Sequence, residues 1–422
     1  MWYPKILIIS NNCFSLSSNN GRTLGNFFIG WPQAHLAQFY IKSEEPDKSI
    51  CSNYLCISDH RVFEMLVRSK RSADIFRKQQ VEINEQTNNI KKNSFTMIIR
   101  YALWSIAPWK SELFNFIEKF TPDLILLQAG DTPMMYDITR IISKQKNIPI
   151  VMYNSEDHVL RSKDYFGNNN LSCLFFPIFI YLLRKSFRKT LNQTSHVIYI
   201  SEKLQTTYQK LLCHESSVIY TSSDVNRCES PVEHSPLIVS YFGNLEFNRY
   251  ISLIELANVF NKVDPRIIID VYGKVSPGEM MNKLENCSTI RLKGFVHYDV
   301  IKQVMKDSDI LLHVESFDGY YCHFNTHYFS TKIADCLASG RTFVVYAPSK
   351  IAFVEYLGAN DAAIIISNKN ELESTVKLIT ESLEFRMSKI SNALFTADKN
   401  HNIDKNRERF QRILIKMIKN EN

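Results

Sequence analysis

The stretch Phe329–Gly340, FSTKIADCLASG, combines residue types suited to holding an anion and a polyol side by side. Ser330 and Thr331 are good helix-cap residues, and at a helix start a hydroxyl and the first free backbone N–H groups converge on one spot that suits a phosphate. Asp335 follows Thr331 by four positions, hence on the same face one turn later, while Ile333, Leu337 and Ala338 can face a core. A carboxylate beside a bound phosphate is repelled unless it holds something else, and sugar hydroxyls are donors that an acceptor-only group binds well. The pair therefore points to a nucleoside diphosphate with its ribose. Taken alone, the same residues also read as an ordinary helix cap and a solvated aspartate, so the surrounding elements must decide.

Those elements alternate short apolar runs with helical stretches, the pattern of parallel sheets with crossover helices. In the first half, strands are expected at Ile6–Ser10, Tyr54–Ser58, Leu124–Gln128, Ile150–Tyr153 and Val197–Ser201. Phe76–Asn93, rich in Lys, Arg, Gln and Asn, reads as an exposed helix or a loop. Cys228–Pro236, CESPVEHSP, with its prolines and lack of period, reads as an interdomain linker. A second strand series follows at Ile238–Gly243, Ile267–Gly273, Ile290–Val296, Ile310–Val314, Thr342–Tyr346 and Ala363–Ser367. Helical stretches such as Ser252–Asn261, Asp299–Lys306 and Lys350–Leu357 fall between them. In Lys399–Asn422, Phe410, Ile413, Leu414 and Met417 recur at helical spacing, so the chain should end in an amphipathic helix. The expected fold class is thus α/β, two Rossmann-like domains with a cleft between them: residues 1–227, residues 237–395, and a last helix, 396–422, packing back on the first.

Composition fits this picture. With 422 residues, 45% of them hydrophobic and 22% charged, the chain is long enough for two or three domains with cores of their own. The nine cysteines form no CxxC pair and no regular spacing, which suits reduced thiols in a cytoplasmic setting. MWYPKILIIS carries too short an apolar run for a signal segment and reads as a first strand. The net charge of +7 is modest, no nucleic-acid partner is expected, and one location matters more than the total. Leu171–Leu183, LSCLFFPIFIYLL, is almost wholly apolar and is followed by Arg184, Lys185, Arg188 and Lys189. It is too short to cross a bilayer, which takes about 20 apolar residues. Two readings of Leu171–Lys189 remain: a segment lying in the inner membrane surface with its basic flank at anionic headgroups, or a buried core helix.

The second half resembles, in order and spacing, the C-terminal lobe of retaining GT-B glycosyltransferases, in particular glycosyltransferase family 4. The pieces are YFGNLEFNR (Tyr241–Arg249), VYGK, LKGFV, DILLHVES and FSTKIADCLASGRTFVVY, over Ile238 to about Thr380. The resemblance implies that Gly243 admits a ligand to the end of its strand, and that Arg249 stands at the phosphate-binding lysine position with a planar fork for diphosphate oxygens. Asn244 replaces the family's other cation, for which Lys332 could substitute; Gly273, Gly294 and Val296 fall where the nucleobase is held by backbone. The family's two glutamates, eight positions apart, are His327 and Asp335 here. Asp335 keeps the chemistry of a ribose ligand; His327 does not match, and Asp318 or Glu315 are candidates to reach the sugar instead. In the first half, Asn19, Asn20, Gly21 and Arg22 resemble the family's glycine loop near donor phosphates. Glu156 and Asp157, in NSEDH after a strand, stand where many members place a histidine against the transferred sugar, and a carboxylate there would stabilise positive charge; three polar residues after a strand are also often an exposed turn.

Asp307, Ser308 and Asp309 spell a DxD, but they lead into an apolar strand and read as a helix-to-strand junction. No HExxH or similar spacing occurs, so neither metal nor other cofactor is expected. The resemblance implies a hexosyltransferase that moves a sugar, with retention, from a nucleotide sugar to a glycan or lipid-linked acceptor in bacterial capsule, O-antigen or other surface polysaccharide. Two alternatives share the fold: a nucleotide-sugar epimerase, which needs no acceptor, and a non-catalytic partner, for which His327 is the best support. A dinucleotide oxidoreductase is excluded by the lack of a GxGxxG after any expected strand.

Overall fold

The computed structural model describes residues 2–15, 19–70, 92–166, 170–228 and 233–419, so the reading of Phe76–Asn93 lies almost wholly outside the described residues. The chain forms two compact units, Met1–Ile219 with Arg407–Asn422, and Tyr220–Asn406.

The first unit runs β1 (Ile6–Ser10), α1 (Asn19–Asn26), β2 (Leu36–Tyr40), β3 (Asn53–Cys56), α2 (Asp59–Lys70), α3 (Ser94–Ile106), α4 (Lys110–Phe120), β4 (Leu124–Gln128), α5 (Pro133–Lys146) and β5 (Ile150–Asn154). It continues with α6 (Asn170–Leu191), β6 (Thr194–Tyr199), α7 (Glu202–Leu211) and β7 (Ser216–Val218). The second runs β8 (Val239–Phe242), α8 (Arg249–Val263), β9 (Ile269–Tyr272), α9 (Glu279–Glu285), β10 (Ile290–Gly294), α10 (Tyr298–Asp307) and β11 (Ile310–Val314). Then come α11 (Gly319–Asn325), α12 (Lys332–Ala338), β12 (Thr342–Tyr346), α13 (Ala352–Ala359), β13 (Ile364–Ile366), α14 (Leu372–Glu381), α15 (Leu383–Met387) and α16 (Ile390–Thr396), with α17 (Ile403–Lys419) closing the chain.

Both sheets are parallel, in the orders β3-β2-β1-β4-β5-β6-β7 and β10-β9-β8-β11-β12-β13. A parallel sheet carries helices on both faces, so its central strands are apolar on both sides, as in ILIIS, LILLQ and ILLHV. In each sheet the order reverses once, between β1 and β4 and between β8 and β11. At such reversals the loops at the carboxyl ends part and leave a crevice where ligands bind.

The domain boundaries differ from those expected at 228–236 and 396. The first break falls at Ile219/Tyr220 and the chain rejoins its first unit at Arg407. The segment read as a linker is tied into the second unit: Cys228 N–H donates to the Ser339 carbonyl (2.9 Å), and Asp309 accepts from the backbone N–H of His234 (3.2 Å) and Ile238 (2.7 Å). Nearby, the buried His401 bonds the Thr221 carbonyl through Nδ1 at 2.6 Å and the Tyr356 hydroxyl through Nε2 at 2.9 Å. A carbonyl only accepts, so the proton sits on Nδ1, and burial brings the imidazole pKa down to about 4. In α17, Phe410, Leu414 and Met417 are buried at positions i, i+4 and i+7. Phe410 stacks on Phe27 with ring centroids 4.4 Å apart, and Arg407 Nε donates to the Asn26 carbonyl (3.0 Å).

Candidate functional site

In the second unit the ends of β8, β9 and β10 carry Gly243, Gly273 and Gly294. Gly243 N–H donates to the Tyr272 carbonyl (2.8 Å) and Gly273 N–H to that of Gly294 (2.9 Å), so the three form one stepped backbone edge. Glycine is required at two of these steps. A Cβ on Gly273 would lie 2.1 Å from the Gly243 carbonyl oxygen; Gly243 has φ +125°, and a Cβ there would lie 1.8 Å from Lys332 Nζ. That ammonium donates to the Phe242 carbonyl (2.9 Å). Burial, with the Arg249 charge close by, brings the Lys332 pKa down to about 8.

Arg249 opens α8 after two residues in left-handed conformations, Phe247 (φ 60°) and Asn248 (φ 59°). That turn folds the side chain inward, 6% exposed, between the rings of Phe247 and Tyr328, 5.5 and 5.3 Å from its guanidinium carbon. Nε donates to Glu315 Oε2 at 2.8 Å. The terminal guanidinium nitrogens make no hydrogen bond with the described residues and are not among the fully buried unpaired atoms. Four N–H donors thus remain in a planar fork. Glu315, just beyond β11, is 0% exposed; it also accepts from Asn325 Nδ2 (3.1 Å), and His313 Nε2 lies 3.3 Å from its other oxygen. Burial alone would raise the carboxyl pKa, but His313 and Arg249 together hold it below the ordinary range. His313, fully enclosed, is brought down to about 4. The β8–β11 reversal therefore holds two cations and one enclosed carboxylate, a cluster of net positive charge.

The α12 start differs from the expected cap. Thr331 already has helical angles (φ −61°, ψ −27°) and its side chain makes no capping bond, while Ser330 is buried with Oγ lacking a hydrogen-bond partner among the described residues. Asp335 is not solvated: its Oδ1 accepts from Ser223 Oγ (2.7 Å) and the Tyr298 hydroxyl (2.9 Å). The protein's own hydroxyls thus take the place at that oxygen that ribose hydroxyls were expected to fill. Tyr298 also reaches Asp224 Oδ1 (2.9 Å), which Lys302 pairs at 2.8 Å through Oδ2.

In the first unit an open pocket of about 1140 Å³ lies at the carboxyl ends of β1 to β5, across the β1–β4 reversal. Asp131, in the turn after β4, is its buried carboxylate. Tyr136 clamps that turn by bonding both the N–H (3.0 Å) and the carbonyl (2.8 Å) of Gly130, and Thr132 Oγ1 donates to Asp131 Oδ1 (3.1 Å). Burial would raise the Asp131 pKa, but Lys92 (Nζ at 3.4 Å), His158 and Arg100 hold it below the ordinary range. Glu156, exposed at the rim of the same pocket, has His158 Nε2 at 3.3 Å, and that contact lowers its carboxyl pKa from the usual value.

No family model and no curated protein matches the chain in sequence. Solved structures do match in shape. HepE from Anabaena, in complex with UDP and glucose, aligns with TM-score 0.64 at 13% identity over 98% of this chain and 100% of its own. TarM aligns with TM-score 0.61 at 12% identity, covering 98% of each chain. WaaG, a glycosyltransferase involved in lipopolysaccharide biosynthesis, aligns with TM-score 0.57 at 11% identity over 97% of this chain and 99% of its own. The fold is GT-B.

Within this GT-B chain the second unit gathers Gly243, Gly273, Arg249 and Lys332 at one strand edge. Asn244 is used locally: its Oδ1 accepts from Glu246 N–H (2.7 Å) and its Nδ2 donates to Glu246 Oε2 (3.0 Å). Val296 and His327 are half-buried loop residues after β10 and α11. Asp318, an exposed residue, caps α11 by accepting from Tyr320 N–H (2.9 Å); Glu315 is enclosed behind Arg249 and does not point out as a sugar ligand. Asp307 ends α10, while Asp309 holds the backbone that enters β8. Gly21 is not in a loop but in the first turn of α1, where a Cβ would lie 2.4 Å from the Cys13 carbonyl oxygen; it is glycine for close packing. Asp157 turns away from the pocket, accepting from Leu160 N–H (3.0 Å) and the Tyr208 hydroxyl (2.9 Å), which leaves Glu156 as the carboxylate of that pair lining it. Asp131 and His313 are site residues not singled out from the sequence, and Glu315, expected there to reach the sugar, stands behind Arg249 instead. The signal for Asp131 was a charged residue at the carboxyl end of a strand beside the sheet reversal.

Proposed function

We propose that the chain transfers a glycosyl group from a nucleoside diphosphate sugar to a glycan acceptor, with retention, in surface polysaccharide assembly at the inner face of the membrane. The observation that carries this is Arg249, buried against Glu315 with its terminal fork unused, beside Lys332 under the glycine edge of β8. A diphosphate supplies the charge and paired oxygens that this arrangement lacks. Crystal structures of HepE with UDP and glucose and of TarM with UDP support the ligand class by analogy of fold.

In the reaction the anomeric carbon–oxygen bond to the diphosphate breaks and its electron pair leaves with the phosphate. Arg249 and Lys332 neutralise that growing charge from fixed positions, which costs no reorganisation. The acceptor oxygen bonds the anomeric carbon, and its proton passes to the departing phosphate oxygen. Asp335, its Oδ1 taken by Ser223 and Tyr298, holds those two hydroxyls in place toward the ribose side of the donor, while the first-unit pocket, with Glu156 and Asp131, receives the acceptor. No described helix is long and apolar enough to cross a membrane. Contact with the bilayer is assigned to α6, one face of which buries Phe176, Phe179 and Leu183 while the other exposes Leu174, Ile178 and Tyr181 before the exposed Lys185, Arg188 and Lys189.

The test is release of nucleoside diphosphate from a panel of nucleotide sugars, with and without glycan acceptors. Release that requires acceptor supports transfer; interconversion of the donor without acceptor would instead mark an epimerase. Lys332→Met and Arg249→Lys should each weaken the donor by roughly 1–3 kcal/mol, the worth of a charge-assisted hydrogen bond.

A further inference from the structure

Arg100, on α3, is built much as Arg249 is. Its Nε donates to Asp59 Oδ1 at 2.8 Å, and Trp104 Nε1, one turn further along α3, donates to the same oxygen at 2.8 Å. The Arg100 side chain is only 17% exposed, yet its terminal guanidinium nitrogens make no hydrogen bond with the described residues and are not among the fully buried unpaired atoms. Two bonds from α3 to the first residue of α2 thus fix a planar fork whose four remaining N–H donors open into the first-unit pocket.

The charges lining that pocket are unevenly used. Among the described residues its carboxylates are each answered within the protein: Asp59 by Arg100 and Trp104, Asp131 by Lys92 (3.4 Å) and Glu156 by His158 (3.3 Å). Lys42, also in the lining, pairs with Glu44 (3.0 Å). The Arg100 fork has no oxyanion on its terminal donors. A neutral hydroxyl can accept one of them, but a carboxylate or phosphate takes two in parallel and cancels the charge. Asp131 calls for the opposite chemistry, because an acceptor-only group binds hydroxyl donors. Arg100 is near enough to help hold the Asp131 pKa below the ordinary range, so one small ligand can meet both.

We infer that the saccharide received here is acidic: its hydroxyls meet Asp131 and its carboxylate or phosphate is taken by the Arg100 fork, which makes Arg100 the residue that selects a charged sugar over a neutral one. This rests on the reading of the first-unit pocket as the acceptor site. Asp59 stands to Arg100 as Glu315 stands to Arg249, aiming the guanidinium through Nε and leaving its far edge for the ligand.

The experiment titrates the full chain with glucose, glucuronate and glucose 6-phosphate at one ionic strength, reading heat. The three differ only at carbon 6, so the ring and its other hydroxyls cancel in the comparison. An acidic sugar should bind about tenfold or more above glucose, glucuronate leading where the site takes a carboxylate and glucose 6-phosphate where it takes a phosphate. Arg100→Gln, which keeps an N–H for Asp59, should remove that preference, and Arg100→Lys, which keeps the charge without the fork, should cut it severalfold. Equal affinity for all three sugars overturns the inference. So does a preference untouched in whichever of the two variants folds, which is the result for an anion held elsewhere, Arg249 included. Parallel titration with UDP separates this from the transferase reading. UDP binding with no acid preference sinks the acidic saccharide alone; an acid preference governed by Arg100 without any nucleotide binding sustains it and removes the transferase.

Discussion

Replacing Glu315 by Gln separates charge from shape at the anion site. Gln keeps the volume and an oxygen for Arg249 Nε, now 2.8 Å away, but removes the negative charge enclosed behind the guanidinium. For charge centres about 4 Å apart at an effective dielectric of about 20, the lost attraction is roughly 4 kcal/mol. Stranding one partner of a buried pair costs about 3–5 kcal/mol, so the two routes agree. The urea transition of the second unit should fall by that amount. Binding should move the other way. An unneutralised guanidinium gains more from a diphosphate, so UDP should bind about 5- to 30-fold more tightly, or ~1–2 kcal/mol, by calorimetry at pH 7. A folded variant that has lost UDP binding would overturn this assignment, because the carboxylate would then be needed at the ligand rather than behind the arginine. Unchanged stability would refute it equally.

Other outcomes follow from the same geometry. Lys332, at a pKa of about 8 when free, binds an anion only in its charged form, so donor affinity should be flat below pH 8 and fall by up to about tenfold per unit above it; Lys332→Met should abolish that slope. His313 and His401 are neutral in the fold at about 4 against the ordinary 6.5, so the unfolded chain takes up protons first and stability is lost as pH falls below 6.5. At pH 5 the loss is roughly 2 kcal/mol for each, readable as a lower urea midpoint for the second unit. Gly243→Ala sets a methyl 1.8 Å from Lys332 Nζ at φ +125° and should cost about 2–4 kcal/mol of stability by denaturant unfolding. Phe410→Ala empties the stack on Phe27 and should destabilise the first unit by about 3–5 kcal/mol in the same assay.

Much of this architecture could be read from apolar runs alone. ILIIS, LILLQ and ILLHV are strands over the residues expected, because a central parallel strand buries both faces and needs an unbroken apolar run. β2 escaped notice because Gln38 interrupts LAQFY; its buried amide bonds Phe14 N–H (2.9 Å) and Ser10 Oγ (2.8 Å), partners that only the fold brings near. β7, SSV, is short and polar and carries no periodic signal. The domain boundary was misplaced because composition marks where a segment looks loose, whereas Cys228 and His234 are pinned by Ser339 and Asp309, far along the chain. That Gly243, Gly273, Arg249 and Lys332 belong together is what the family resemblance implies, and the fold does gather them at one strand edge. Whether a carboxylate faces the ligand or stands behind an arginine depends on side-chain direction, which spacing does not encode, and Glu315 is the example.

On the proposed function, the glycine edge of β8, with Arg249 and Lys332, grips a nucleoside diphosphate. Calorimetric titration of the folded chain with uridine, guanosine, adenosine and thymidine diphosphates and their sugars tests it most directly. Saturable heat is expected with at least one base, weakened about tenfold or more in Lys332→Met and in Arg249→Lys. No heat from any of these compounds, in protein whose circular dichroism and cooperative unfolding show it to be folded, would contradict it.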